Sequence, residues 1–330
     1  MSSVTRVPET SRMPGDELDV ADARTTLQHF GRKRLVVESF RRFRYGDGFS
    51  HARALGFQLV LALIPLTIAL VGLSSVVRVE GLAVVIRETL LSITPGSSDE
   101  VVRDTLEQGQ SQADVGPIAL WLGLLTALVA LTAAMGQIER GANRIYGIQR
   151  DRPALQKYRR ALGMAVVAGI PLMLGFLVIV AGGRAIAVLA ETYGWPDLVA
   201  DAARVLRWPL GLLLDLMAIT AIFRWGPRRR QPALSWMSVG AALALVLWLV
   251  LSGVLAAFVA TSGSFGAVYG PLTAIMALLL WAQLSGVALL LGLSFAAQLE
   301  AVRVGVNRGA VEDPELDPAM PLRYELPAHG

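Results

Sequence analysis

Residues 231–299, QPALSWMSVGAALALVLWLVLSGVLAAFVATSGSFGAVYGPLTAIMALLLWAQLSGVALLLGLSFAAQL, hold no Asp, Glu, Lys or Arg between Arg230 and Glu300. A soluble fold of this size has too little interior to bury 69 such residues on all sides. A bilayer about 30 Å thick, crossed by about 20 apolar residues per helix, accommodates them in two passes. Small residues divide the run at Thr261-Ser-Gly-Ser-Phe-Gly-Ala-Val-Tyr-Gly-Pro271, and the proline suits a helix start. Two helices follow, near 233–260 and 271–299.

Working outward, three more uncharged runs are long enough to span: 54–77, 115–138 and 161–183. A fourth, 205–223, is apolar apart from Arg207, which can snorkel from its start, and Asp215 at its centre. The expectation is an all-α integral membrane protein, a bundle of about six transmembrane helices. Composition agrees: 54% of the 330 residues are hydrophobic and 17% charged, far from the balance of a soluble domain.

Lys and Arg in the short loops set the orientation. Ten precede the first span and seven lie between Arg140 and Arg160, while Arg224, Arg228, Arg229 and Arg230 follow the fourth span. Loop 78–114 has three against seven acids, loop 184–204 has two against three, and the fifth loop has none. The alternation predicts cytoplasmic N and C termini in a cell inner membrane. The first fifty residues show no cleavable leader, so the first apolar segment is expected to remain as an anchor.

Outside the spans, Val36, Val37, Phe40 and Phe43 recur at helical spacing among Arg34, Glu38, Arg41 and Arg42, which predicts an amphipathic, interfacial helix over 32–45. Its basic residues serve either topology or recognition of anionic lipid. Leu82, Ile86, Leu90 and Ile93, then a capping box at Ser97 and Glu100, predict two short amphipathic helices in the first outer loop. Residues 1–31 and 304–330 read as disordered cytoplasmic tails around a membrane domain over 32–303. Ile64-Pro65-Leu66 and Ile170-Pro171-Leu172 place prolines at similar depth in two parallel spans, making Pro65 and Pro171 candidate helix kinks and a faint internal repeat.

Four stretches carry a family likeness: His51-Ala-Arg-Ala-Leu-Gly-Phe57 with 62–66; 138–152 around Asn143-Arg-Ile-Tyr146; Trp225-Gly-Pro-Arg-Arg-Arg-Gln-Pro-Ala233; and Gly266-Ala-Val-Tyr-Gly270 with 279–281 and 292–300. In this order the chain resembles the YihY/virulence factor BrkB family of bacterial inner-membrane proteins, formerly called ribonuclease BN. The likeness covers roughly residues 40–303 and implies a fold and a location rather than a mechanism. The sequence departs from common members at Gly270-Pro271, where a small polar residue is more usual after the glycine.

Chemistry is sparse. The absence of cysteine removes disulfides, thiol catalysis and thiolate metal sites, and His29, His51 and His329 show no paired-ligand spacing. With no cluster of acids beside them a nuclease has no visible basis, and without a phosphate-binding glycine loop neither has a self-contained ATP-driven pump, so no cofactor, metal or nucleic-acid partner is expected. The sequence pI of about 9.7 reflects topology-setting loops instead. Gly253 with Ala257 and Gly292 with Ala296 are small-residue pairs suited to helix packing.

A carboxylate in hydrocarbon costs at least about 2.5 kcal/mol. Asp215 is therefore a candidate for a substrate pathway, or else hydrogen-bonds another helix. Gln58, Gln137 and Gln283, the other strongly polar side chains in the spans, either converge on it or act as interhelical glue. Asn143, Arg144 and Tyr146 with Arg228, Arg229 and Arg230 either form a cytoplasmic anion or lipid-headgroup site or hold charge for topology. The leading expectation is a transporter or lipid translocator moving an amphiphilic or polar substrate. Its alternative is a non-transporting scaffold in envelope assembly, and a membrane-embedded enzyme comes third. Membrane lipids are the expected partners; oligomeric state, homo-oligomers included, is open.

Overall fold

The computed structural model describes residues 5–10, 20–76, 116–261 and 273–312. The two short amphipathic helices expected in the first outer loop and the small-residue turn after Thr261 lie outside these residues. Helices α1 (Val20–Phe30) and α2 (Arg32–Tyr45) precede α3 (Gly48–Val76). Then come α4 (Gly116–Ile145), α5 (Ala154–Met164), α6 (Ile170–Val180), α7 (Gly182–Tyr193), α8 (Asp197–Trp225), α9 (Leu234–Thr261) and α10 (Thr273–Arg303). Two short strands, β1 (Thr5–Arg6) and β2 (Val311–Glu312), pair antiparallel.

Six candidate spans emerge: Gly48–Ala69, Pro117–Ile145, Ala154–Val180, Asp197–Trp225, Leu234–Thr261 and Ile275–Arg303. They match the six expected from the apolar runs, with the fourth beginning earlier than residue 205. Arg207 lies inside α8, where its Nη1 donates to the carbonyl of Ile179, 3.0 Å away at the end of α6. A cation at a helix C-terminus is held by the unpaired carbonyls there.

The third span is not one helix. Pro171 has no N–H to donate to the carbonyl four residues back, and the backbone widens just before it into a π turn over Ala165–Gly169. Ile170 N–H donates instead to Ala165, five residues back. Pro65 lies inside α3 with helix on both sides, as Pro209 does in α8. The two expected kink prolines therefore sit in different surroundings.

Around the bundle, α3 neighbours α4, α4 the α5–π segment, α6 packs on α8, α8 on α9, α9 on α10, and α10 returns to α3. Glycines make several of these contacts close. A Cβ on Gly56 would meet the Gln283 backbone nitrogen at 2.8 Å, on Gly211 the Gly175 carbonyl at 2.9 Å, and on Gly292 the Gly240 carbonyl at 2.6 Å. Close backbone approach supplies the dispersion that the hydrophobic effect cannot supply inside lipid. Gly253 differs: nothing lies within 4 Å of its Cβ position, so of the two small-residue pairs only Gly292–Ala296 packs within the chain.

Parts of both expected tails carry secondary structure among the described residues. Residues in both form the β1–β2 pair, and α1 buries Ala23 and Thr26 against the bundle. The apolar stripe of α2 also needs correction. Leu35, Glu38, Ser39, Arg42 and Phe43 face inward, while Val36, Val37 and Phe40 are exposed. The polar side is drawn in because α10 and the segment after it offer partners: Ser294 Oγ donates to the Ser39 carbonyl (2.6 Å), and Gly309 N–H donates to Glu38 Oε2 (2.9 Å).

Candidate functional site

Polar side chains collect in two places. At the end of the bundle where the basic loops lie, α2, the end of α4, the segment 226–231 and the end of α10 meet. Arg42 is fully buried; its Nε donates to Gln298 Oε1 (2.8 Å), and its Nη1 to the Ile145 carbonyl (3.0 Å) and Thr10 Oγ1 (3.1 Å). Arg229 pairs with Glu300 and lays its guanidinium 4.8 Å from the Tyr146 ring centroid. Burial pushes the Tyr146 hydroxyl well above its ordinary range, aided by the negative charge of Glu300, and lowers Arg42 to about 10. At neutral pH the phenol stays protonated and the guanidinium charged.

Asn143, fully buried, ties two loops to this core. Its Nδ2 donates to Asp151 Oδ1 (3.1 Å) and its Oδ1 accepts from the Arg228 backbone N–H (2.7 Å). The Arg228 side chain donates to the carbonyls of Arg150 (3.0 Å) and Asp151 (2.8 Å). Arg152 bridges Glu139 at 2.7 Å and donates to the Gly226 and Pro227 carbonyls. The N-terminal segment closes the top: Thr10 N–H donates to the Tyr146 carbonyl (3.3 Å). Gly147 permits this, since its φ is +77° and a Cβ there would sit 2.7 Å from Glu9 Cα.

Of the six sequence candidates here, Asn143, Tyr146, Arg228 and Arg229 are thus brought into one network. Arg144 donates locally to Ile148 and Gln149 carbonyls, and Arg230 is exposed. Gln231, Gln298 and Glu300 are not among the sequence candidates, and Arg42 is expected only as part of the basic face of the interfacial helix. Glu300 had one signal, as the acid that ends the 69-residue uncharged run; Arg42 had none, because it lay in a helix whose polar side was expected to face water.

The second place lies at hydrocarbon depth. Asp215 is buried on α8, ten residues before Trp225, and at 1.5 Å per residue that is about 15 Å below the basic end. Among the described residues its Oδ1 has no hydrogen-bond partner. A Cβ on Gly175 of α6 would sit 2.2 Å from that oxygen, so the glycine makes room for the carboxylate. The glutamines occupy the other side, on α3, α4 and α10. Gln137 Nε2 is 2.9 Å from His51 Nδ1, Gln58 Oε1 is buried without a partner, and the Gln283 backbone packs on Gly56. No described contact joins any of them to Asp215.

Between α6, α9 and α10 stands a half-buried aromatic trio. Phe176 lies 5.5 Å from Trp281 and 6.4 Å from Trp248, and the two indoles are 6.3 Å apart. Trp248 Nε1 donates to Ser285 Oγ and Trp281 Nε1 to Ser252 Oγ, each at 3.1 Å, so both N–H groups are satisfied across the α9–α10 contact. Among the described residues no group of three or more His, Cys, Asp or Glu is placed to hold a metal ion.

This arrangement can be set beside known proteins. Residues 39–316 match the family described as Virulence factor BrkB. The chain belongs to that family. It is 22% identical over 257 residues to YfkH of Bacillus subtilis (strain 168), a protein whose name calls it ribonuclease-like; the match covers 78% of this chain and 92% of that one. It is 27% identical over 270 residues to a UPF0761 membrane protein of Azotobacter vinelandii, covering 80% of this chain and 62% of the relative. A UPF0761 membrane protein of Alkalilimnicola ehrlichii is 26% identical over 270 residues, at 82% and 59% coverage. The chain thus spans about 60% of the length of these two longer relatives. No solved structure matches. As a BrkB-family member the chain is a multi-pass membrane protein, in agreement with the six spans.

Proposed function

We propose that this BrkB-family protein is a translocator of an amphiphilic or polar substrate, seated in a bacterial inner membrane with its basic end and both termini in the cytoplasm. The observation that carries the reading is Asp215, a buried carboxylate with an oxygen unpartnered among the described residues, held against Gly175 in the span that carries the π turn. Hydrocarbon disfavours such a group strongly enough that a charge there by default serves a pathway or a coupling proton. The π turn over Ala165–Gly169 in the same span is a local departure from regular helix of the kind that recurs at functional sites.

The test is reconstitution into liposomes with headgroup-labelled lipids and a membrane-impermeant quencher. Faster loss of inner-leaflet fluorescence than in protein-free vesicles, slowed by Asp215→Asn at equal protein content, is the expected result. Rates equal to empty vesicles across anionic, zwitterionic and neutral lipids would reject lipid translocation. Orientation is checked by labelling single introduced cysteines, for which the cysteine-free chain gives no background; external labelling at position 149 or 228 would reverse the assignment.

A second reading, a scaffold in envelope assembly, is favoured by the aromatic trio, whose paired indole N–H groups tie α9 to α10. Ribonuclease activity has no support in the residues described. Rigorously purified protein is expected not to cleave RNA, with or without added divalent metal.

A further inference from the structure

The network at the basic end leaves a particular set of atoms unsatisfied. Among the described residues Arg42 Nη2, Arg229 Nη1, the Tyr146 hydroxyl, Gln231 Nε2 and Oε1, and Glu300 Oε2 are buried without a hydrogen-bond partner. Arg42 and Tyr146 are fully buried, Glu300 is 2% exposed and Gln231 7%. They form one neighbourhood. Arg229 touches both Glu300 and the Tyr146 ring, Arg42 binds the carbonyl of Ile145 next to Tyr146, and the Gln231 side chain lies beside the Tyr146 hydroxyl.

An unmet buried polar atom costs about 1–3 kcal/mol, more when charged, so five side chains of one cluster do not stay unmet together without an occupant. Donors and charge both say what kind. Arg42 Nη2 and Arg229 Nη1 are unmet donors and Glu300 Oε2 an unmet acceptor, while the Tyr146 hydroxyl and the Gln231 amide lie close enough to pair with each other and leave the rest of the amide unmet. Two guanidiniums face one carboxylate. Glu38, one turn before Arg42, does not redress the balance, because its oxygens are taken by Arg41 (3.1 Å) and Gly309 N–H (2.9 Å). A cluster with excess positive charge in a low dielectric is stabilised by a counter-anion more than by water.

We propose that Arg42, Tyr146, Arg229 and Gln231 bind one small monovalent anion, of halide or nitrate size, beside Glu300. A lipid headgroup is excluded by enclosure: Thr10 covers the cluster, bonded to both Arg42 and the Tyr146 carbonyl, and its own exposure is 3%. The anion is a structural part of the basic end. The inference is independent of whether the protein transports.

The experiment uses the full chain purified in detergent, exchanged into sodium gluconate, whose anion is too large to enter. Thermal unfolding is followed by tryptophan fluorescence while gluconate is replaced by chloride, bromide or nitrate at constant ionic strength. Binding to the folded state alone predicts a rise in Tm that grows with the logarithm of anion concentration above the Kd, roughly 4 °C at about thirty times the Kd. Gln231→Glu sets a carboxylate where the anion would lie. It is expected to match the anion-loaded wild type in gluconate and to lose the response. Tyr146→Phe keeps the ring under Arg229 and removes one donor, so the same rise in Tm should need about tenfold higher anion concentration, the factor for about 1.4 kcal/mol. Superimposable unfolding curves in all four salts, or a response undiminished in Gln231→Glu, would overturn the site.

Discussion

The basic end and the hydrocarbon-depth interior of this bundle solve the same problem by opposite means. At the basic end, helices and loops are joined by charged side chains, each reaching carbonyls or acids on a different segment: Arg152 on Glu139 and residues 226–227, Arg228 on 150–151, Arg42 on Ile145 and Gln298. At depth, glycines bring backbones together and only sparse polar pairs cross between helices, such as the two Trp–Ser bonds and Gln137 with His51. Near a membrane surface, loops have many unpaired backbone groups for cations to satisfy; within a span the helix satisfies its own backbone, and closeness of approach decides which helices pair. Asp215 stands out because it is a basic-end kind of residue placed in the glycine-packed part.

The sharpest way to break this comparison is to remove a charge from the network. Arg229→Ala leaves Glu300 buried without its cation, and about 3–5 kcal/mol of stability should be lost. Unfolding in detergent by denaturant and the yield of monodisperse protein both report it. If the loss is under about 1 kcal/mol, the basic end is not held by its charges.

Next in size is Gly175→Ala, which drives a methyl into the Asp215 carboxylate. Overpacking there should cost about 3 kcal/mol. The same change made in an Asp215→Ala background should cost distinctly less, and a double-mutant cycle measures the coupling. Additive losses would show that the helix backbones, through the Gly211 carbonyl, rather than the carboxylate, determine the contact.

Asn143→Ala should cost about 2 kcal/mol by unpairing Asp151 and the Arg228 N–H, and should raise hydrogen exchange in 146–152 and 226–230 together. Exchange confined to one loop would show that Asn143 does not join them. Smallest is Trp248→Phe: the ring contact with Phe176 stays and the bond to Ser285 goes, for about 0.6 kcal/mol. A much larger effect would mean that interior polar pairs matter as much as those at the basic end.

Asp215 and the three glutamines were found in the sequence by the same rule, that amides and acids in apolar windows need partners. The rule named the residues but not the partners. Asp215 faces Gly175 on α6, while the glutamines belong to the α3–α4–α10 side. Arg42 shows the reverse failure. A 14-residue helix with alternating charge reads as solvated on its polar side, yet that side is the buried one, because α10 and the residue 5–10 segment bring it Gln298 and Thr10 from far along the chain.

Solubility in hydrocarbon is a property of a contiguous window of residues, so the number of spans, their approximate ends and the clustering of basic residues in alternate loops were determined by the sequence alone. The family was legible too, because its motifs are short runs read in order. Which polar atoms meet was decided only by the tertiary structure. A hydrogen bond depends on a few tenths of an ångström between residues as distant in sequence as Arg42 and Gln298, and no local pattern encodes that separation. The π turn lies between these limits: Pro171 announced a break in the sequence, but whether the helix kinked, ended or widened depended on how α6 packs against α8.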